Sequence, residues 1–82
     1  MIKKHYVYLA RCKDDSLYTG YAINLKEREA KHNQGLGAKY TKSRRPIKIV
    51  YSEKFKTIGE AMKREAEIKK LLKVEKEKLI KK

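Results

Sequence analysis

One cysteine, one proline and no long apolar run set the first limits on this 82-residue chain. With Cys12 alone, neither an internal disulfide nor a thiolate metal cage built from one chain is available, so stability has to come from packing. No apolar stretch approaches the roughly 18 residues that a membrane span requires. The opening residues Met1-Ile2-Lys3-Lys4-His5 hold no apolar leader with a small-residue cleavage site, and a cytoplasmic location is expected. Internal repeats and low-complexity linkers are also missing. A chain of this length is one domain, spanning 1–82, with a modest core.

Acidic residues are scarce. Ten Asp and Glu stand against 23 Lys and Arg, a net charge of +13. Such an excess repels itself, and its usual benefit is attraction to a polyanion through phosphate neutralisation and counterion release. Residues 30–52 hold six basic side chains (Lys31, Lys39, Lys42, Arg44, Arg45 and Lys48) and no acidic one, which marks a nucleic-acid contact surface or a solubility device. Residues 53–82 mix 11 basic with six acidic residues at helical spacings, the pattern of a solvated face laced with ion pairs. No basic segment carries a strong apolar face as well, which argues against a membrane surface as partner.

What is present organises the chain. Tyr6-Val7-Tyr8-Leu9 and the stretch from Leu17 to Ala22 read as two strands, joined by turn residues Lys13-Asp14-Asp15-Ser16 into a β-hairpin. Asn24-Leu25-Lys26-Glu27 has the form of a capping box and opens a helix that ends near Asn33-Gln34, with Gly35 just past its end. Gly35 to Arg45 reads as a loop closed by Pro46. Residues 47–53 form a third strand with Ile47, Ile49 and Tyr51 on one face. Thr57-Ile58-Gly59-Glu60 is a second capping box and starts another helix. Its apolar phase fails after Leu72, so Val74, Leu79 and Ile80 belong to a separate short helix or a frayed tail. The order β-β-α-β-α predicts an α+β domain, a small three-stranded antiparallel sheet flanked by helices.

Several residues in this frame point to chemistry. Along the last main helix, Ala61, Met62, Ile68 and Leu72 fall within a wedge of roughly 120° measured from Ile58, and Glu65 lies inside it. Burying an unpaired carboxylate costs several kcal/mol or more, so something positive must face Glu65: a metal, or simply Lys69 one turn away. On the first helix, Leu25, Arg28 and His32 share one face, so a guanidinium and an imidazole point inward. Tyr6, Tyr8 and Ala10 share one face of the first strand and Val7 and Leu9 the other, and one tyrosine from each hairpin strand can be neighbours. Taken singly these have ordinary explanations: an ion pair for Arg28, a hydrogen-bonded wall residue for His32, β-propensity for the tyrosines.

Together they resemble a known family. Tyr6-Val7-Tyr8 followed by Tyr18-Thr19-Gly20, with Arg28 and His32 on the next helix and Glu65 on a later one, is similar to the paired signature of GIY-YIG nuclease domains. The resemblance covers nearly the whole chain. Gly35-Leu36-Gly37-Ala38-Lys39-Tyr40-Thr41, followed by Arg45-Pro46, resembles the branch containing structure-selective junction endonucleases, above all its small stand-alone bacterial members. The resemblance implies a metal-dependent endonuclease acting on DNA, selective for structure rather than sequence. It implies that Glu65 binds one Mg²⁺ or Mn²⁺, an arrangement that suits a hard cation completed by waters and phosphate oxygens. Arg28 would stabilise transition-state charge. Tyr8 or Tyr18 would deprotonate or orient the attacking water, with its phenolate favoured by Arg28, His32 or metal, since an ordinary tyrosine has a pKa of about 10. His32 and Tyr40 would hold a phosphate oxygen or the water. Lys39, Lys42, Arg44 and Arg45 would contact the nucleic-acid backbone.

The chain departs from the pattern at Tyr6, in place of the first signature glycine, and at Thr19, in place of the usual isoleucine; both positions mainly pack the hairpin. Tyr40 stands where other branches carry histidine. The supporting asparagine that many members have after the metal-binding helix has no counterpart between Val74 and Lys82. A protein partner supplying further DNA-binding surface would fit that lack. Two other readings remain at this point: a binding module that kept the scaffold but does not cut, and a small RNA- or ribosome-associated protein.

Overall fold

A computed structural model describes residues 4–81 of the chain. The opening residues Met1–Lys3, on which part of the reading of the N-terminus rests, lie outside the described residues. The first two elements are β1 (His5–Arg11) and β2 (Leu17–Ala22), paired antiparallel with Tyr8 opposite Gly20 and Ala10 opposite Tyr18. Their turn is built as its residues require. Cys12 N–H donates to Ser16 O at 2.9 Å, Asp15 takes φ 71°, and Asp14 accepts from both the backbone and the hydroxyl of Ser16. Aspartate tolerates this left-handed conformation better than most residues.

Helix α1 (Leu25–Asn33) begins at Asn24, whose side chain accepts from Glu27 N–H at 3.0 Å. Only that half of the expected capping box forms, because the Glu27 carboxylate turns instead towards Lys31. The helix ends as Gly35 predicts. Gly35 takes φ 83°, its N–H reaches His32 O, and Leu36 N–H reaches Lys31 O, the paired bonds of a Schellman ending.

The segment read as a loop contains one helical turn, α2 (Lys39–Lys42). Side chains fasten it to backbone carbonyls: Thr41 to Ala38 O, Arg44 to Tyr40 O and Arg45 to Lys42 O. Residue-by-residue propensity does not register such bonds.

Strand β3 (Lys48–Phe55) pairs with β1, giving the sheet order β2-β1-β3, antiparallel throughout. The expected single apolar face of β3 is wrong. The register shifts between Leu9 and Ala10, so Tyr51 lies opposite Leu9, Ile49 opposite Ala10, and Val50 is the extra residue of a bulge. Ile47 and Ile49 therefore pack on one side of the sheet and Tyr51 and Phe55 on the other. The α1 side chains hold this bend: Asn33 pairs with both the N–H and the carbonyl of Ile47, and Glu29 accepts from Ile49 N–H at 2.7 Å.

The chain closes with α3 (Ile58–Lys69), capped at Thr57, and α4 (Lys73–Lys81). The ending is thus a formed helix rather than a frayed tail, and Leu79 and Ile80 pack on the core. The α3 stripe is narrower than its periodicity suggests. Ala61 and Ile68 are buried, while Ile58, Met62 and Leu72 are exposed because no described element covers them. No helix among the described residues is long and apolar enough to cross a membrane.

Central strand β1 is buried on both faces, from Val7 to Ala10. Tyr8 and Ala10 join Cys12, Ala22 and Ile47 beneath α1, whereas Val7 and Leu9 join Ala61 and Ile68 beneath α3 and α4. Cys12 sits just past the strand end, buried and unoxidised.

Candidate active site at the open edge of the sheet

Strand β2 is an edge strand, and the side chains singled out by sequence gather beside it. The strand alternation aims Tyr8 from β1 and Tyr18 from β2 to the α1 face, their ring centroids 6.4 Å apart. The four-residue spacing on α1 brings in Arg28 and His32. The Tyr18 ring meets His32 at 5.4 Å and stacks on Tyr40 at 5.9 Å and 24°. The Arg44 guanidinium lies over the Tyr40 ring at 3.9 Å from its centroid. Tyr8, Tyr18, His32, Tyr40 and Arg44 form one continuous assembly.

At its base runs a chain of hydrogen bonds whose direction can be worked out. The Thr41 hydroxyl donates to Ala38 O at 3.1 Å, so it accepts from His32 Nδ1–H at 2.7 Å. That fixes the tautomer, leaving His32 Nε2 bare to accept from the Tyr8 hydroxyl at 2.7 Å. Burial, reinforced by the charge of Arg28, lowers the His32 pKa below its ordinary value and keeps the ring neutral. Two glycines let the relay close. A Cβ on Gly20 would strike the Tyr8 hydroxyl, and one on Gly37 would overlap the His32 ring at Nδ1.

Of the expected sources of a tyrosine phenolate, the protein's own groups do not supply one at Tyr8. Burial, then Tyr18 and Glu65, push its pKa up by more than Arg28 pulls it down. Tyr8 is therefore a neutral phenol whose proton is already directed at His32. Arg28 makes no ion pair among the described residues; it donates to Tyr21 O at 3.3 Å and reaches the Tyr8 hydroxyl, and the rest of its fork is available. Both Tyr8 and His32 feel its charge.

Glu65 comes from α3, which packs across β1 and β2 on the other face, yet its charge is felt at Tyr8. Its side chain is 18% exposed and pairs with Lys69 at 3.7 Å, so the plain alternative weighed for it is realised in this state. A long single contact leaves both carboxylate oxygens with capacity to accept. Among the described residues no three His, Cys, Asp or Glu side chains form a metal cluster. The donor set fits a cation that needs one carboxylate and takes its other ligands from water and substrate.

The basic segment divides in two. Lys39 and Lys42 are exposed, whereas Arg44 and Arg45 are tied into structure. Arg44 binds Asp14 at 3.0 Å and Tyr40 O at 2.8 Å, and Arg45 binds Lys42 O and Asn33 O. Sequence reasoning missed Thr41, which sets the histidine tautomer, and Asp14, which locks Arg44 onto Tyr40. Nothing local in the sequence signals either contact, since the partners lie nine and 30 residues away.

The family model described as the GIY-YIG catalytic domain matches residues 4–78. UPF0213 protein SSP2268 of Staphylococcus saprophyticus is 58% identical over 77 residues, and UPF0213 protein SH2523 of Staphylococcus haemolyticus 57%, each match covering 94% of both chains. Among solved structures, the solution NMR structure of the UPF0213 protein BH0048 from Bacillus halodurans is 45% identical with TM-score 0.61, covering 95% of this chain and 83% of that one. That of the protein EF2693 from E. faecalis is 46% identical with TM-score 0.65, covering 96% and 84%. Family model, fold and relatives agree, and the chain belongs to the GIY-YIG catalytic-domain family, among its UPF0213 members.

Proposed function

We propose that this protein is a metal-dependent endonuclease that hydrolyses DNA phosphodiester bonds, selecting substrates by backbone shape rather than base sequence. The gathering of Tyr8, Tyr18, Arg28, His32 and Tyr40 beside one sheet edge, with the charge of Glu65 acting on Tyr8 from α3, carries this reading. A phosphate approaching that edge meets the Arg28 guanidinium, whose fixed charge offsets the negative charge that grows on the phosphoryl oxygens. The Tyr8 hydroxyl gives its proton to His32 Nε2 as its oxygen takes one from the attacking water, so no free phenolate has to form in a buried place. The new P–O bond forms from that water oxygen as the bond to the leaving oxygen breaks. His32 holds the transferred proton, and Thr41 keeps the ring in the orientation that receives it. Tyr18 and Tyr40 wall the site, and the exposed Lys39 and Lys42 supply backbone contacts. Glu65 would hold Mg²⁺ or Mn²⁺, which lends positive charge to the phosphate oxygens. A domain of this size offers little area for base readout, which supports recognition by phosphate position and shape.

Incubation of supercoiled plasmid and branched oligonucleotides with Mg²⁺ or Mn²⁺ tests the reading. Nicking in the natural protein, lost in Glu65→Gln and Arg28→Ala while gel-shift affinity in EDTA persists, is the expected result. A second reading, a binding module without cleavage, draws on the Glu65–Lys69 ion pair. Tight binding with no cleavage under either metal would select it.

A further inference from the structure

Next to the assembly of tyrosines lies a separate recess of about 250 Å³, lined by Leu17, Tyr18, Thr19, Tyr40, Lys69 and Lys76. It opens on the α3 and α4 side of the β2 edge and shares Tyr18 and Tyr40 with the candidate active site. Two of its features are unexplained by folding. First, two basic residues, Lys69 from α3 and Lys76 from α4, both line it. Lys76 is partly buried and its pKa is lowered, by burial first and then by Lys69, with no carboxylate acting on it among the described residues. Second, the Thr19 hydroxyl is buried, the residue being 4% exposed, and has no hydrogen-bond partner among the described residues. Two lysines of like charge on one recess are unfavourable and are relieved by a small oxyanion, and the unpartnered Thr19 hydroxyl lies in the residue that forms part of its wall.

We infer that this recess is a second phosphate site, in which Lys69 and Lys76 grip a backbone phosphate neighbouring the one presented to Arg28. The identity of the ligand rests on the nuclease reading; the anion site itself does not. The site places a strand along the β2 edge, with one phosphate on each side of the stacked Tyr18 and Tyr40. It also gives Lys69 two roles. In the present state Lys69 neutralises Glu65. A cation on Glu65 would take over that carboxylate and release the ammonium to the recess, so metal binding and strand binding would support one another.

The test is an NMR titration of the metal-free protein with inorganic phosphate, followed by binding of a single-stranded oligonucleotide in EDTA. Phosphate should shift the amide resonances of Thr19, Lys69 and Lys76 saturably. Lys76→Gln should abolish the response, Lys76→Arg should keep it, and Lys54→Gln, on the opposite sheet edge, should leave it unchanged. For the oligonucleotide, Lys76→Gln should weaken binding about fivefold at 0.1 M salt and reduce the salt slope by about 0.7, one phosphate contact on a single strand. Equal responses from Lys76→Gln and Lys54→Gln would overturn the site. Phosphate binding that depends on Lys76, with oligonucleotide affinity that does not, would overturn its assignment to a strand. If Lys76 governs both while no metal supports cleavage, this inference stands and the nuclease reading falls.

Discussion

Val7 and Leu9 point from β1 into a face where Ala61 and Ile68 meet them with aliphatic carbon, whereas Tyr8 points to the other face and donates to a buried imidazole. One strand thus serves two ends by its period of two. The face beneath α3 and α4 supplies cohesion, and the face beneath α1 trades part of its apolar content for a directed set of hydrogen bonds. The difference teaches that stability and chemistry can be separated by a single step along the same strand, and substitutions on the two faces should fail in different ways.

The largest effect is expected at the one candidate site group that the cohesive side contributes, the Glu65 carboxylate of α3. Glu65→Gln should lower cleavage by about 10³-fold, roughly 4 kcal/mol in activation free energy, while thermal unfolding barely moves. On the aliphatic side, Leu9→Ala should lower folding stability by about 2–5 kcal/mol, as large-to-small changes in packed cores do, and leave the rate per folded molecule intact. Urea unfolding and single-turnover cleavage measured on both variants would expose any mixing of the two phenotypes, and a Leu9→Ala protein that folds well but cannot cut would break the comparison.

Gly37→Ala sharpens it. The added methyl meets the His32 ring, so His32 must shift from both Thr41 and Tyr8. Cleavage should drop about 10–100-fold, in line with loss of one general acid–base component. Gly59→Ala is the control, because a Cβ there meets nothing within 4 Å, and it should leave cleavage unchanged.

These glycines show where sequence reading stops. The hairpin turn, the Asn24 and Thr57 caps, the Schellman ending at Gly35 and the inward face of Arg28 and His32 were legible because each depends on residues within a turn of one another. The Val50 bulge was not, since it is set by how β3 meets β1 and by Asn33 and Glu29 reaching over from α1. Helical periodicity told which side of α3 Ile58 and Met62 occupy, but not that nothing covers them. The candidate site divides the same way. Tyr8, Tyr18, Arg28, His32 and Glu65 were singled out by the resemblance to the family signature, while Thr41, Gly37 and the Asp14–Arg44 brace act through contacts between distant segments.

A pH profile isolates the relay. His32 has to be neutral to accept from Tyr8, and its pKa lies below the ordinary 6.5. Cleavage should therefore be flat above about pH 6.5 and fall up to tenfold per pH unit once the ring protonates. His32→Gln should be slow at every pH and lack that acidic limb. The same group affects folding. Because its folded pKa is depressed, the unfolded chain takes the proton first, and stability declines as pH drops below 6.5.

The smallest effect is expected on the cohesive side and appears at still lower pH. Arg11 at the end of β1 grips Glu77 of α4 through two bonds, of 2.8 and 2.7 Å, and Lys73 joins at 2.8 Å, clamping α4 against the hairpin. Hydrogen bonds from Arg11 and then Lys73 hold the Glu77 pKa down at about 2, from an ordinary 4.5. With the folded pKa depressed, the clamp is fully present above 4.5 and is lost as pH falls from there towards 2. These groups face solvent, so salt weakens the clamp further. Glu77→Gln should lower thermal stability slightly at pH 7 and remove the part of acid destabilisation that falls below pH 4.5, while the His32-dependent loss between pH 6.5 and that point remains. Equal acid sensitivity of natural and Glu77→Gln proteins below pH 4.5 would show that α4 is held by Leu79 and Ile80 alone.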